Sequence, residues 1–275
     1  MKKLYFVLLG ATLAATGKTV FMKKMGTSSN STYNLISQNA VSFAVAALIS
    51  LMILKFNFNK LINISSYSLK MSLLFALCVI FTYLTQIKAM SLGNSSATML
   101  IYSCGFLIPI VFSKFYYGEE ITLIQYVGVL LLLPALFLII SPKGGGFSLK
   151  WLIFSVISMT GSGLTAVLQK IHQNSKYKDE FVSLVTLKFT FAAIILLVII
   201  AFTIKKVKES KPQPKELRVS ATNGIYIGVL NTLNLRLAGK LPAVIVFPIY
   251  NIGSLVLSGI ILSVLYKERL TKKKC

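Results

Sequence analysis

The chain has 275 residues, of which 55% are hydrophobic and only 13% are charged. Soluble domains carry about 25% charged residues, so this composition excludes an ordinary water-soluble protein and predicts a multi-pass integral protein of the cell membrane. The net charge of +22 would suggest nucleic acid in a soluble chain. Here the basic residues cluster between apolar runs, where they meet anionic lipid head groups, so the lipid bilayer and not nucleic acid is the expected partner.

Several apolar runs are long enough to cross a bilayer, which takes about 20 residues. Most connections between them are short and polar, and the longest contains Pro212 and Pro214, which end either flanking helix. The first run follows two lysines and has an alternative interpretation as a signal peptide, but a similar segment recurs in mid-chain. The sequence predicts nine spanning helices, at about 4–22, 33–54, 70–90, 95–115, 122–141, 150–171, 181–204, 219–238 and 242–265.

An internal repeat is the most informative feature of the sequence. Tyr33–Ala44 is similar to Phe181–Ala192, and Tyr117–Thr122 shares the pattern Tyr-x-Glu-x-(Ile/Leu)-Thr with Tyr266–Thr271. We therefore predict a first repeat of five helices in residues 1–145 and a second of four in 146–275. Because five is odd, the repeats have opposite orientations in the membrane, an arrangement of transporters whose substrate site lies near the midplane.

The chain resembles the drug/metabolite transporter superfamily, and within it the EamA-like ten-helix carriers. The resemblance rests on Tyr117–Thr122 followed by Gln125 and Gly128, and on Leu241–Asn251 leading to Tyr266–Thr271. It implies an all-α polytopic membrane protein with two inverted repeats around a central cavity, lined by the first, third, fourth, sixth, eighth and ninth helices. The tenth helix of the family pattern is missing, since only four residues follow Thr271.

The function implied by the resemblance is export of a small metabolite, such as an amino acid or a related organic solute, by alternating access. The alternative is a truncated, non-transporting membrane protein of the same fold. A small-molecule substrate is the expected partner, and a homo-oligomer is one possible assembly. Membrane orientation stays open, because the resemblance implies a cytoplasmic N-terminus while more of the basic residues fall on the opposite side.

The chemistry-bearing residues do not indicate an enzyme. All seven acidic residues fall at helix ends or in connections, and the single histidine, His172, lies at the end of the sixth predicted helix. The cysteines, Cys78, Cys104 and Cys275, are spaced neither as a disulfide framework nor as a metal site. We expect no catalytic residues, no metal and no cofactor. Without a carboxylate in mid-membrane, facilitated transport or exchange is favoured over carboxylate-based proton antiport.

Polar side chains inside the predicted helices must find partners in the bilayer. Hydrogen bonding between helices satisfies some of them, and those on the cavity helices are candidates for binding a substrate. Asn231 and Asn234 are three residues apart and share a helix face, as do Tyr83 and Gln86. The candidate substrate-binding residues are Tyr83, Gln86, Tyr102, Asn231, Asn234, Tyr250 and Asn251.

The remaining charges have simpler interpretations. Lys18, Lys88, Lys188 and Arg236 lie near predicted helix ends, so extension of their side chains to the head groups explains them. An inward-pointing Lys88 or Arg236 would favour anionic solutes. Glu119 and its repeat equivalent Glu268 are predicted to be anchors at the membrane interface, with substrate gating as the alternative.

Overall fold

The structure is a computed structural model that describes residues 2–28, 31–93, 95–123, 126–127, 148–203 and 211–266. Every regular element in these residues is helical. Two short 3-10 turns also occur, at Cys104–Phe106 and at Lys178–Glu180. The helices are α1 (Lys2–Ser28), α2 (Thr32–Ile53), α3 (Asn59–Ile62), α4 (Ser66–Leu92), α5 (Ser95–Ser103), α6 (Leu107–Tyr117), α7 (Leu149–Gln173), α8 (Phe181–Thr203), α9 (Pro214–Ala238) and α10 (Ala243–Tyr266).

Seven segments of the described residues are long and apolar enough to cross a membrane. They correspond to α1, α2, α4, the α5–α6 pair, α7, α8 and α10, which confirms an all-helical polytopic membrane protein. The predicted count of nine is not confirmed. The run at 122–141 lies almost entirely outside the described residues, and α9 is long enough but less apolar, because it carries buried Asn223, Asn231 and Asn234.

Helix starts follow from local sequence. Ser31, Ser65 and Ser148 each accept a hydrogen bond from the backbone N–H three residues later, which caps α2, α4 and α7. At the start of α9, Pro214 occupies the first turn, where its missing N–H costs nothing. The Glu216 carboxylate there accepts the Gln213 N–H at 2.8 Å. These caps place the starts of α2, α4, α7 and α9 in polar connections.

The contacts between helices are compatible with the predicted repeat. The match of Tyr33–Ala44 to Phe181–Ala192, extended along the chain, would equate α1, α2, α4 and α5–α6 with α7, α8, α9 and α10. The pair α1–α9 then corresponds to α7–α4, the pair α2–α9 to α8–α4, and α1–α10 to α7 with α5 and α6. All of these pairs are in contact, and α2 packs on its own equivalent, α8.

A fully buried aromatic cluster lies where α2, α4 and α8 meet. Phe43, Phe75 and Phe189 have no exposed surface, and the rings of Phe43 and Phe189 stack with their centroids 5.8 Å apart. Tyr83 packs edge-on against Phe43 at 5.4 Å. This packing fixes the wall from which the Tyr83 ring faces the centre of the bundle.

The fourth predicted helix, at 95–115, is interrupted in the structure. α5 ends at Ser103, a 3-10 turn covers Cys104–Phe106, and α6 begins at Leu107, two residues before Pro109. Proline lacks the N–H that would continue the helical hydrogen bonding, and a 3-10 stretch inside a helix is a frequent hinge. In α10, by contrast, Pro248 lies within a continuous helix.

Helix backbones touch at Gly224 and at Gly105, and we expect alanine at either position to lower the melting temperature in detergent. A Cβ at Gly224 would lie 2.4 Å from the Ser42 carbonyl oxygen, and one at Gly105 would lie 2.6 Å from the Met159 carbonyl oxygen. Backbone atoms cannot rotate away, so the helices would have to separate. Gly259 has nothing within 4 Å, and alanine there should be neutral or slightly stabilising. Equal melting temperatures for Gly224→Ala and Gly259→Ala would contradict this packing.

Candidate functional site

A cavity of about 70 Å³ lies at the centre of the bundle. Its walls come from α1, α4, α5, α7, α9 and α10, the six helices that the resemblance leads one to expect. Roughly 10 to 15 Å³ of such volume holds one water, so the cavity takes a few waters or a small polar solute. Among the described residues, Lys18 is the one charged side chain in the lining, which contains no carboxylate.

All seven side chains singled out in the sequence line this one cavity. Polar groups in a spanning helix avoid lipid and turn to the bundle interior, which explains why they share one cavity. The seven are Tyr83 and Gln86 on α4, Tyr102 on α5, Asn231 and Asn234 on α9, and Tyr250 and Asn251 on α10.

Lys18 was predicted to extend to the head groups, and that prediction is wrong. It is 6% exposed, and α1 continues to Ser28 and not to residue 22. Ten further residues at about 1.5 Å each put roughly 15 Å of helix between Lys18 and that end. Its Nζ donates to the Tyr102 hydroxyl at 3.1 Å and lies 4.8 Å and 4.7 Å from the ring centroids of Tyr83 and Tyr102.

Three amide side chains in the lining carry oxygens without a hydrogen-bond partner among the described residues. They belong to Gln86, Gln169 and Asn234, which are 3%, 4% and 4% exposed. They come from three helices, α4, α7 and α9, and all line the cavity. An unpaired buried polar atom costs about 1 to 3 kcal/mol, so this cavity has acceptor capacity that a ligand or water can fill.

Asn231 differs from these three because both ends of its amide are occupied. Its Nδ2 donates to the Ile227 carbonyl at 2.9 Å, and its Oδ1 accepts from the Lys188 Nζ at 2.7 Å. Lys188 is 1% exposed and lies over the faces of Phe75 and Phe189. Its predicted extension to the head groups is therefore also wrong, whereas Lys88 and Arg236 are exposed as expected.

On α10, Asn251 donates its Nδ2 to the Phe247 carbonyl at 2.9 Å. The Tyr250 ring packs edge-on against Phe247 with centroids 6.0 Å apart. Both side chains lie within two turns of Pro248. These contacts fix the α10 wall of the cavity.

A clasp of Glu119, Lys170, Leu241 and Ala243 joins the two halves of the chain at one end of the bundle. Gly118 adopts a left-handed conformation (φ 64°) at the end of α6, which turns the chain so that Glu119 points to the second half. Its carboxylate accepts the Ala243 N–H at 2.8 Å, at the start of α10, and forms a 2.5 Å ion pair with Lys170. Lys170 also donates to the Leu241 carbonyl.

The Glu119 carboxylate lies at the N-terminus of α10, where it satisfies a free N–H group and interacts favourably with the helix dipole. Spanning helices alternate in direction, so the clasp lies on the side of the membrane where α1 begins. The repeat equivalent, Glu268, lies outside the described residues.

A multi-spanning helical bundle around a central polar cavity has the architecture of a membrane carrier. The profile of the EamA-like transporter family matches residues 2–141, about half of the chain, and the chain belongs to this family of small-solute transporters. A solved structure described only as "Crystal structure of protein" has a TM-score of 0.76 and 14% identity, covering 98% of this chain and 91% of its own. At that identity the likeness shows the fold alone. A comparison with curated proteins finds no match.

Proposed function

We propose that this protein exports a small solute bearing both a carboxylate and an ammonium group, such as an amino acid, across the plasma membrane by alternating access. The observation that carries the proposal is the presence, in one small cavity, of a buried lysine and three amides with unpaired oxygens. The two sets of groups are chemically complementary to the two ends of such a solute.

The carboxylate end is matched by Lys18. An ammonium offers three N–H donors and no acceptor, and the Tyr102 hydroxyl to which Lys18 donates at 3.1 Å is neutral. Hydrogen bonds between charged partners are about twice as strong as neutral ones. A carboxylate beside Lys18 would also neutralise the one charge in the lining.

The ammonium end is matched by Gln86, Gln169 and Asn234. Their oxygens accept hydrogen bonds and have no partner among the described residues. A ligand N–H group that reaches them recovers the cost of leaving them unpaired. A purely anionic solute would leave these acceptors unfilled, and a purely cationic one would face Lys18.

Alternating access is supported by the clasp and by the repeat. The clasp holds α6, α7 and α10 together on one side of the cavity, and the helix pairs in contact correspond between the halves. We propose that the repeats are inverted and that release of the clasp opens the cavity to that side. Because the described lining contains no carboxylate, the proposal includes facilitated transport or exchange without a carboxylate proton carrier.

Ligand-induced stabilisation of the purified protein tests the proposed substrate class. A ligand at 100 times its Kd stabilises the folded state by about 2.7 kcal/mol, which raises the melting temperature measurably. The assay screens the twenty amino acids and then compares a stabilising one with its decarboxylated and deaminated analogues. We expect stabilisation only when both charged groups are present. A shift as large with the amine or the acid alone would overturn the proposed class.

Glu119→Gln is expected to loosen the clasp. The variant loses the ion pair with Lys170 and weakens the cap of α10, so the melting temperature should fall. A cysteine introduced at Thr165 in the cavity lining, in a cysteine-free background, should also react faster with an impermeant thiol reagent. Glu120→Gln is the matched control, because Glu120 is the exposed neighbour. Equal labelling rates in the two variants would contradict a gating role for the clasp.

A further inference from the structure

We propose that Lys18 determines specificity by acting as a tethered cation: its ammonium fills a cage of two tyrosine rings that would otherwise bind an organic cation. The inference rests on the proposed function only in taking the central cavity as the place where solutes bind. It concerns which solutes are kept out, and it predicts a change of specificity that can be made with one substitution.

The cage is formed by Tyr83 of α4 and Tyr102 of α5. The Lys18 Nζ lies over both rings, 4.8 Å and 4.7 Å from their centroids, and donates to the Tyr102 hydroxyl at 3.1 Å. The Tyr83 ring is held from behind by its edge-on contact with Phe43. Aromatic faces attract cations within about 6 Å, and cages of such rings recognise quaternary ammonium groups. The two rings therefore form a cation-binding site, and the Lys18 ammonium of the protein itself occupies it.

Lys18 cannot withdraw from the cage by a shift of its helix. The preceding residue, Gly17, packs so closely that a Cβ there would lie 2.3 Å from the Tyr226 ring. One turn later, Phe21 stacks on the same ring with centroids 5.7 Å apart. These contacts fix the register of α1 against α9, and the remaining length of α1 keeps the ammonium away from the head groups. The lysine is a permanent part of the site.

Because the Lys18 ammonium occupies the cage, the cavity should exclude organic cations. An external cation that approached the rings would meet a fixed positive charge in a place of low dielectric, where repulsion is strong. Without Lys18 the described lining has no charged side chain, the two ring faces are free, and the amide oxygens remain as acceptors. Truncation of this one side chain should therefore convert a cavity that excludes organic cations into one that binds them.

The test compares binding of tetramethylammonium to the purified wild-type protein and to Lys18→Ala in detergent. Radiolabelled tetramethylammonium should bind the variant at least about tenfold more tightly than wild type, since a desolvated cation–π contact contributes enough for such a factor. The double variant Lys18→Ala/Tyr102→Leu should lose about tenfold again. No amino acid is present, so failure of the proposed substrate class would leave this result intact.

Matched controls separate the cage from a general loss of charge. Lys18→Arg keeps a cation in the cage and should not bind tetramethylammonium. Lys88→Ala removes an exposed lysine on α4 and should not bind it either. If Lys18→Ala is too unstable for binding assays, its melting temperature should rise with added ethylammonium while that of wild type does not. Absence of both effects, or equal binding by Lys18→Ala and the double variant, would overturn the inference.

Discussion

Replacing Asn231 with leucine is expected to remove much of the stability of the protein. Lys188 is almost fully buried, and the Asn231 Oδ1 at 2.7 Å is its hydrogen-bond acceptor among the described residues. A hydrogen bond to a charged group contributes about 1.5 to 3 kcal/mol, and leaving the buried donor unpaired adds the cost of its desolvation. Thermal unfolding in detergent should therefore show a large fall in melting temperature for Asn231→Leu.

A second substitution should reverse most of that loss. In Asn231→Leu/Lys188→Met the buried charge is gone and both side chains are apolar, and such replacements of buried polar pairs are often neutral or stabilising. The two substitutions should thus be strongly non-additive, as expected for residues in direct contact. If the double variant melts below Asn231→Leu, the Lys188–Asn231 contact is not what stabilises this part of the bundle.

Replacing Asn234 with leucine is expected to have the opposite profile, with transport lost and stability kept. Asn234 lies on the same helix and in the same cavity, but its oxygen has no partner among the described residues. Leucine there removes an unpaired buried group, which is neutral or stabilising. A hydrogen bond to a charged solute contributes about 1.5 to 3 kcal/mol, so solute affinity should fall at least about tenfold.

The same substitution at Gln86 and Gln169 should give the same profile. Solute uptake by proteoliposomes and melting temperature are measured together for each variant. Arg236→Leu is the control, because Arg236 is an exposed neighbour of Asn234 on α9 and its loss should leave uptake unchanged. Wild-type uptake by Asn234→Leu would exclude this amide from the solute site.

Much of the site could be predicted because the bilayer forces polar groups inward. Tyr83, Asn234 and Asn251 stand out in apolar runs, and a polar group facing lipid has no partner. The same reasoning did not show which of these polar side chains bond to another residue and which are open to a solute. Asn231 and Asn234 look alike in sequence, yet one amide is occupied by Lys188 and the other is open.

The errors came from helix ends and long-range contacts. The first helix was predicted to end at residue 22, but α1 continues to Ser28, which moves Lys18 from the interface to the interior. Lys188 is seven residues from the start of α8, and only packing against α9 shows that its ammonium meets Asn231. Gln169 was not among the candidate site residues, since nothing in the sequence shows that α7 presents it beside Gln86 and Asn234.

The clasp could be predicted only in part. The repeated Tyr-x-Glu-x-(Ile/Leu)-Thr pattern drew attention to Glu119 at a helix end, and the left-handed Gly118 fits a glycine that ends a helix. Its partners, Lys170 and the Ala243 N–H, are 51 and 124 residues away in sequence. No local pattern connects them, so a structure was needed to show that this glutamate ties the two halves together.

Solute counterflow in proteoliposomes tests the central claim most directly. Vesicles loaded with a mixture of unlabelled amino acids and diluted into single labelled ones should transiently accumulate label when they contain the wild-type protein. Vesicles with folded Asn234→Leu at equal density should not. The account is contradicted if the wild-type protein, purified with a cooperative melting transition, accumulates none of the twenty amino acids, or if Asn234→Leu accumulates the same ones at the same rate.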